Sequence, residues 1–173
     1  MAAGGRRNPG AVHRPAAGFV AAHRGEGGSM THPALALELV ARLEVTIGEP
    51  IDGGDTPAGR RRVIPITGGT VAGPLLRGEV LALGADWSLL RGDGVPSVTA
   101  KYLIRTHDGV VLTVTNTGTI TVGPGGASGL TTPKIEAPAG EYAWLNDAVL
   151  VGTLVPLAGG GGVSLEFHRV QAG

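Results

Sequence analysis

The chain has 173 residues, no cysteine, and fourteen acidic residues balanced by fourteen basic ones. This composition excludes a disulfide framework and a thiolate metal site, and it carries no electrostatic signature of a nucleic-acid or anionic-membrane binder. The 31 glycines and 12 prolines, together with 42% hydrophobic residues, indicate many short strands joined by tight turns rather than a disordered chain.

The N-terminal segment differs from the rest of the chain. It is rich in Ala, Gly and Pro, carries several arginines and lacks a sustained helix or strand period. We predict a disordered leader over residues 1–33 and one folded domain over residues 34–173, with a basic arm for nucleic acid or lipid as the alternative interpretation of the leader. The sequence has neither an apolar run as long as a membrane span nor a secretory apolar segment, so we expect a cytoplasmic protein without membrane contact.

The first predicted strand runs from Leu35 to Ile47, where apolar residues occupy alternate positions. That period is typical of a half-buried strand. A loop over residues 52–57 follows, a turn is predicted at Gly68-Gly69, and a second loop is predicted over residues 130–140. The further strands are predicted over residues 61–67, 70–71, 78–83, 87–90, 98–106, 110–117, 142–146, 148–154 and 163–170.

The strongest hairpin signal is His107-Asp108-Gly109, because Asp-Gly favours the positive φ angles of a two-residue turn. No segment carries a long helical stripe and no strand–helix–strand alternation occurs, which predicts an all-β fold. A closed antiparallel β-barrel of about ten strands is favoured, since the long first strand can pair with the last and remove both exposed edges.

The predicted strand over residues 98–106 carries two candidate site residues on opposite faces. Lys101 shares one face with Arg105, and Tyr102 lies on the other. A lumen-facing Lys101 would suit proton donation or the binding of an enolate, and solvent exposure is the alternative. The Tyr102 hydroxyl is expected to reach a polar partner.

Asp86 and Trp87 place a carboxylate beside one of the two tryptophans in the chain. Asp86 is interpreted either as an acceptor for turn backbone amides or as an acid or base in a pocket. Trp87 is interpreted either as a core residue or as a stacking wall for a ligand.

A second group of candidates follows from strand alternation elsewhere. Tyr142, Trp144 and Asn146 would present two aromatic walls and an amide on one face of a strand, although packing at a barrel end explains the same cluster. Adjacent arginines point to opposite faces, so at most one of Arg61 and Arg62 is expected to face a pocket. The residues assigned to substrate binding from this part of the argument are Arg62, Thr67 and Arg105.

No string in the sequence carries the spacing of a metal or cofactor site. The five histidines are scattered, and the glycine-rich strings are not followed by the Lys-Ser/Thr pair of a phosphate loop. We therefore expect no metal and no organic cofactor.

A set of short strings carries a resemblance to a known family. In chain order they are Arg61-Arg62-Val63-Ile64-Pro65-Ile66-Thr67-Gly68-Gly69-Thr70, Gly73-Pro74, Gly84-Ala85-Asp86-Trp87, Ala100-Lys101-Tyr102, His107-Asp108-Gly109 and Tyr142-Ala143-Trp144-Leu145-Asn146. Together they resemble the domain-of-unknown-function 3237 family, also called uncharacterised protein family 0311. The resemblance implies a β-barrel of about ten antiparallel strands, a homodimer and, by analogy with some fungal relatives, cyclisation of unsaturated ketones. The chain departs from the family pattern at Thr99, where an acid is common, and at Lys101, where Arg is common.

These observations lead to one hypothesis and two alternatives. The hypothesis is a cofactor-independent cyclase or isomerase in secondary metabolism, acting on an apolar conjugated or polyketide-like small molecule inside the barrel. The alternatives are a non-catalytic carrier of a hydrophobic ligand and an assembly domain whose barrel is filled by its own side chains. The residues assigned to catalysis are Lys101, Tyr102, Asn146 and Asp86, and those assigned to the pocket walls are Trp87, Trp144 and Tyr142.

Overall fold

The computed structural model describes residues 32–173, which form nine strands and one short 3-10 helix, η1. The leader predicted for residues 1–33 therefore lies outside the described residues, except for its last two. No helix in the described range is long and apolar enough to cross a membrane. The elements are β1 (Leu35–Ile47), β2 (Ile51–Thr56), β3 (Gly59–Ala72), β4 (Gly78–Arg91), β5 (Pro96–Thr106), β6 (Val111–Gly123), β7 (Gly126–Glu136), η1 (Ala143–Asn146), β8 (Leu150–Pro156) and β9 (Gly162–Ala172).

The strands form one closed antiparallel barrel. Their order is β1-β9-β8-β7-β6-β5-β4-β3, and β1 also pairs with β3, which closes eight strands into a ring. The ninth strand, β2, pairs with the first half of β3. The predicted barrel and the predicted pairing of the first strand with the last are confirmed, with nine strands where about ten were expected.

The pairing of β1 with β3, which closes the barrel, depends on a glycine that was predicted to lie in a turn. Gly69 lies opposite Val45 of β1 and Val80 of β4, inside the continuous strand β3. A Cβ added at Gly69 would overlap the carbonyl oxygen of Glu44. The turn predicted at Gly68-Gly69 is therefore wrong: these glycines let β1 and β3 approach closely within a continuous strand.

Two other predicted boundaries are also wrong. β4 is one strand with an irregularity between Val80 and Gly84, where two strands were predicted. β7 covers most of the range predicted as the loop over residues 130–140. Glycine and proline mark strand irregularities as well as turns, so the sequence signal does not separate them.

The segment predicted as a strand over residues 142–146 is instead η1. Tyr142, which precedes it, and Leu145 within it are the buried residues of the segment, and they are three residues apart. That spacing is the repeat of a 3-10 helix, in which residues i and i+3 lie on the same side. The buried residues of this segment therefore follow a helical period rather than the alternation of a strand.

One end of the barrel is closed by packed side chains. The loop between β3 and β4 buries Leu76, and η1 buries Leu145. Below them, the fully buried core residues Ile104, Leu112, Ile135 and Phe167 come from β5, β6, β7 and β9. This closed end fixes the base on which the opposite half of the barrel can hold a cavity.

Candidate functional site

The half of the lumen opposite the closed end contains a cavity of about 240 Å³. Most of its lining consists of Val, Ile, Leu, Ala and Pro side chains from β1, β3, β5, β6, β8 and β9. Five polar residues complete the lining, and they are Arg62, Asp86, Ser88, Tyr102 and Asn116. This volume lies just below the range of about 300–1,000 Å³ that is usual for pockets of drug-sized ligands, so the cavity suits a small molecule.

Strand register sets three of the lining residues in one row across the sheet. Asp86 of β4 lies opposite Ala100 of β5, and Ala100 lies opposite Asn116 of β6. Neighbouring strands are about 4.8 Å apart, so the Asp86 and Asn116 backbones are about 10 Å apart on the same face. The small Ala100 side chain between them leaves space in the middle of the row.

Tyr102 lies two residues beyond Ala100 on the same face of β5, toward the closed end. Its side chain is 3% exposed, and its hydroxyl has no hydrogen-bond partner. Burial raises the pKa of Tyr102 far above its ordinary value, so the phenol stays neutral and keeps its proton to donate.

Asn116 is a second buried polar residue, on the neighbouring strand β6. It is 1% exposed, and its Oδ1 atom is buried without a hydrogen-bond partner. Leaving a buried polar atom unpaired costs about 1–3 kcal/mol. Both Tyr102 and Asn116 line the cavity, so their unpaired atoms are candidate hydrogen-bonding positions for a bound molecule.

Asp86 accepts a backbone hydrogen bond from strand β5 rather than from a turn, and it also lines the cavity. Its Oδ1 atom accepts this hydrogen bond, of 2.7 Å, from the Thr99 backbone N–H. Burial raises the pKa of Asp86, and this effect outweighs the Thr99 hydrogen bond and the nearby Arg61 and Arg62 charges, which lower it. A carboxyl group with a raised pKa is suited to exchange protons with a ligand.

Arg62 and Ser88 lie toward the open end of the cavity. They face each other in the β3–β4 register, and both contribute to the lining. Arg61, by contrast, donates a hydrogen bond to the Trp87 carbonyl oxygen. This arrangement is consistent with the prediction that at most one of the two arginines faces a pocket, since Arg62 lines the cavity and Arg61 does not.

Three other predicted site residues lie away from the cavity. Lys101 and Arg105 are exposed on the outer face of β5, and Arg105 pairs with Glu79 at 3.1 Å. Thr67 is exposed and donates a hydrogen bond of 3.0 Å to the Thr46 hydroxyl. Because neighbouring residues on a strand point to opposite faces, Lys101 and Tyr102 cannot both face the lumen.

The two tryptophans also do not line the cavity. Trp87 is 43% exposed. The Trp144 ring lies 5.0 Å from the Arg169 guanidinium carbon, in a cation–π contact at the closed end. The expected arrangement of both tryptophans around one lumen is therefore wrong.

Tyr142 and Asn146 have structural hydrogen bonds at the closed end. The Tyr142 hydroxyl donates to Asp108 Oδ1 at 3.0 Å. Asn146 accepts from the Ala137 N–H at 3.0 Å and donates to the carbonyl oxygens of Ala137 and Ala143. These contacts tie η1 to β7 and to the β5–β6 hairpin, which the Asp108-Gly109 turn forms as predicted.

Sequence reasoning missed Asn116 and Ser88. The inner face of β6 reads Leu112, Val114, Asn116, so a polar residue interrupts an apolar alternation. That interruption is a usable signal, because buried polar residues in a strand need a partner.

Within residues 32–173, no three histidine or carboxylate side chains cluster as metal ligands do.

Comparisons with known proteins agree with this fold. The family model described as "Protein of unknown function (DUF3237)" matches residues 35–170. A UPF0311 protein of Rhodopseudomonas palustris is 32% identical over 152 residues, covering 80% of this chain and 98% of that protein. A UPF0311 protein of Clostridium acetobutylicum is 32% identical over 149 residues, covering 78% of this chain and 93% of that protein.

Solved structures show the same architecture. A β-barrel-like protein from Acinetobacter baumannii superposes with a TM-score of 0.77 at 28% identity, covering 83% of this chain and 100% of the other. A protein from Penicillium herquei, described as an enzyme, superposes with a TM-score of 0.61 at 25% identity, covering 84% of this chain and 99% of the other. The barrel is thus shared across proteins of bacteria and a fungus.

Proposed function

Because this chain belongs to the DUF3237 family, we propose that it is a cofactor-independent isomerase or cyclase that acts on a small, largely apolar carbonyl compound, such as a conjugated or polyketide-like ketone. The observation that carries the proposal is the pair of buried, unpartnered polar atoms, Tyr102 Oη and Asn116 Oδ1, whose residues line the same mostly apolar cavity as Asp86. The structural neighbour from Penicillium herquei, described as an enzyme, supports a catalytic role for the fold.

The proposed reaction uses three side chains. In a cyclisation, a hydroxyl group of the substrate adds to the β-carbon of an unsaturated ketone, and the Asp86 carboxylate takes the hydroxyl proton. The Tyr102 hydroxyl donates a hydrogen bond to the carbonyl oxygen, where negative charge develops as the enolate forms. Asp86 then returns the proton to the α-carbon, which restores the ketone. Asn116 Oδ1 accepts a hydrogen bond from a further donor group of the substrate and so orients it.

An isomerisation would use the same groups. Asp86 takes a proton from a carbon next to the carbonyl group, Tyr102 stabilises the enolate oxygen, and the proton is returned to a different carbon. Neither reaction needs a covalent intermediate, since positioning and electrostatic stabilisation carry much of such catalysis.

A conversion assay tests the proposal. The protein would be incubated with hydroxylated unsaturated ketones, beginning with 2′-hydroxychalcone, and loss of the conjugated absorbance followed with time. We expect Asp86→Asn to lower the rate by about 10²–10⁴-fold, as for a lost general base. Tyr102→Phe should lower it by about 10²–10³-fold, as for a lost oxyanion donor.

The outer-face residue Lys101 provides the control. Lys101→Ala changes an exposed side chain on the same strand, so its turnover should match that of the wild-type protein. If Asp86→Asn and Tyr102→Phe also turn over at the wild-type rate, the assigned roles are wrong.

A non-catalytic carrier of a hydrophobic ligand is the second candidate, and the mostly apolar lining of the cavity favours it. Native mass spectrometry of the protein purified from its own cells separates the two functions. A bound molecule that stays chemically unchanged during incubation supports the carrier.

The proposal has three further parts: a role in secondary metabolism, a cytoplasmic location and a homodimer. Cell fractionation would test the location, and light scattering would test the homodimer.

A further inference from the structure

Three consecutive arginines in β3 have different surroundings. Arg60 forms ion pairs with Asp52 and Asp55, and Arg61 donates to the Trp87 carbonyl oxygen. No ion pair or side-chain hydrogen bond within residues 32–173 involves Arg62, which lines the open end of the cavity. Its guanidinium group therefore keeps its donors available to a molecule that enters.

The residue opposite Arg62 offers a second donor. Ser88 lies directly across the β3–β4 register from Arg62 and lines the same cavity. Ser88 is 7% exposed, and its hydroxyl takes part in no hydrogen bond within the described range. A buried hydroxyl beside an available guanidinium is an arrangement that suits an anionic oxygen group.

The charge of Arg62 also acts inside the cavity. Together with Arg61, it lowers the pKa of Asp86, against the larger effect of burial. Asp86 and Arg62 nevertheless form no ion pair within residues 32–173. Asp52 lies opposite Arg62 in the β2–β3 register, but its ion pair is with Arg60. Neither of these two carboxylates therefore forms an ion pair with Arg62.

These observations point to the chemistry of the ligand. We propose that the molecule bound in this barrel is a carboxylic acid, with its carboxylate held at the opening by the Arg62 guanidinium and the Ser88 hydroxyl. Its apolar body lies between the aliphatic walls, and its carbonyl group reaches Tyr102, an orientation that rests on the proposed function. Carboxylate fits because the planar guanidinium presents two parallel donors to its two oxygens, and the hydroxyl supplies a third.

A matched pair of probes tests the inference without requiring turnover. 2-Naphthoate and 2-naphthamide have the same apolar body and differ in charge. Calorimetric titration into the full chain at low ionic strength should show at least about tenfold tighter binding of the acid, since charge-assisted hydrogen bonds are stronger than neutral ones. The difference should shrink in high salt, because the opening is exposed to solvent.

Variants identify the residues responsible. Arg62→Gln should remove the preference for the acid, Arg62→Lys should keep part of it, and Ser88→Ala should reduce it a few-fold. Arg105→Gln, on the outer face of β5, makes the same change of net charge away from the cavity and should leave the preference unchanged. Circular dichroism checks that each variant is folded.

The possible results distinguish failure of the carboxylate inference from failure of the proposed function. Equal binding of acid and amide by the wild-type protein, or an unchanged preference in Arg62→Gln, overturns the carboxylate inference and leaves the cavity as a binding site. Failure of both probes to bind counts against the carboxylate inference and against the proposed function together.

Discussion

Tyr102 and Tyr142 are the two tyrosines of the chain, and they have opposite hydrogen-bond environments. The Tyr102 hydroxyl is buried without a partner, whereas the Tyr142 hydroxyl donates to Asp108 at 3.0 Å. Both residues are buried. Comparing them therefore separates the effect of an unpaired hydroxyl from that of a structural hydrogen bond.

We expect Tyr102→Phe to leave the free energy of unfolding unchanged or raise it by about 1 kcal/mol, because it removes an unpaired buried hydroxyl. Tyr142→Phe should lower the free energy of unfolding by about 1 kcal/mol, because Asp108 loses a donor. Urea denaturation at one pH measures both. Equal destabilisation by the two variants would show that the Tyr102 hydroxyl has a partner in the folded protein.

The second residue-scale prediction concerns Asp86 and pH. Because burial raises its pKa, the folded protein holds the Asp86 proton more tightly than the unfolded chain does. The stability that Asp86 contributes is fully present below its unfolded pKa, about 3.9, and is lost as pH rises through the folded pKa. Asp86→Asn, whose Oδ1 can still accept from Thr99, should therefore gain stability relative to wild type as pH rises.

Asp108 supplies a control of opposite sign. The Thr106 hydroxyl, which donates to it at 2.5 Å, is the main reason that the pKa of Asp108 is below its usual range. Its stabilising effect is present above the unfolded pKa and lost as pH falls through the folded one. Asp108→Asn should thus lose stability relative to wild type as pH rises, and parallel curves for the two variants would contradict the assignment of Asp86.

For individual residues, the sequence predicted part of the candidate site. The alternation on β5 correctly placed Tyr102 on the face opposite Lys101 and Arg105, since Tyr102 is buried and the other two residues are exposed. Alternation alone does not tell how deep a residue lies or what faces it from the next strand. For that reason it missed the row formed by Asp86 and Asn116, which only the register of β4, β5 and β6 brings together.

Among the secondary-structure elements, η1 differs most from its prediction. Asn146 has two hydrogen bonds to the Ala137 backbone, which hold η1 against the end of β7, and a third to the Ala143 carbonyl oxygen within η1. An amide assigned to catalysis from an expected strand is thus part of the connection between β7 and β8. The error arose because two aromatic residues at alternate positions fit a strand as well as one helical turn.

We expect Asn146→Ala to lower the free energy of unfolding by about 1–2 kcal/mol, since it removes several hydrogen bonds at the surface. Turnover or ligand binding per folded molecule should be unchanged, because Asn146 does not line the cavity. Thermal unfolding and hydrogen exchange at the Ala137 amide would measure the effect. The neighbouring exposed residue allows Asp147→Ala as the control, and an equal loss of stability there would argue against these bonds.

For the molecule as a whole, closure of the ring is the property that the sequence predicted best. The long alternation of β1 indicated a strand able to pair on both edges, and β1 pairs with β9 and with β3. The sequence did not show that β3 is shared between β1 and β2. The change of partner lies between Val63, which pairs with β2, and Ile66, which pairs with β1, inside a range where the sequence predicted one uninterrupted strand.

The variant Gly69→Ala tests how far the stability of the barrel depends on the close pairing of β1 with β3. Because an added Cβ would overlap the Glu44 carbonyl oxygen, β1 and β3 would have to separate, and we expect a loss of at least about 3 kcal/mol with a tendency to aggregate through the freed edges. Gly125→Ala is the matched control, since nothing lies within 4 Å of a Cβ there. Scanning calorimetry and light scattering would record both effects, and similar stability of the two variants would refute the role of Gly69.

The closed end of the barrel has a consequence for kinetics. Leu76 and Leu145 are each 1% exposed and block that end, while Arg62 is exposed at the other. A molecule made in the cavity must therefore leave through the passage by which its precursor arrived. Product and precursor would then exclude one another, so the proposed enzyme should show competitive product inhibition, which initial rates measured with added product would detect.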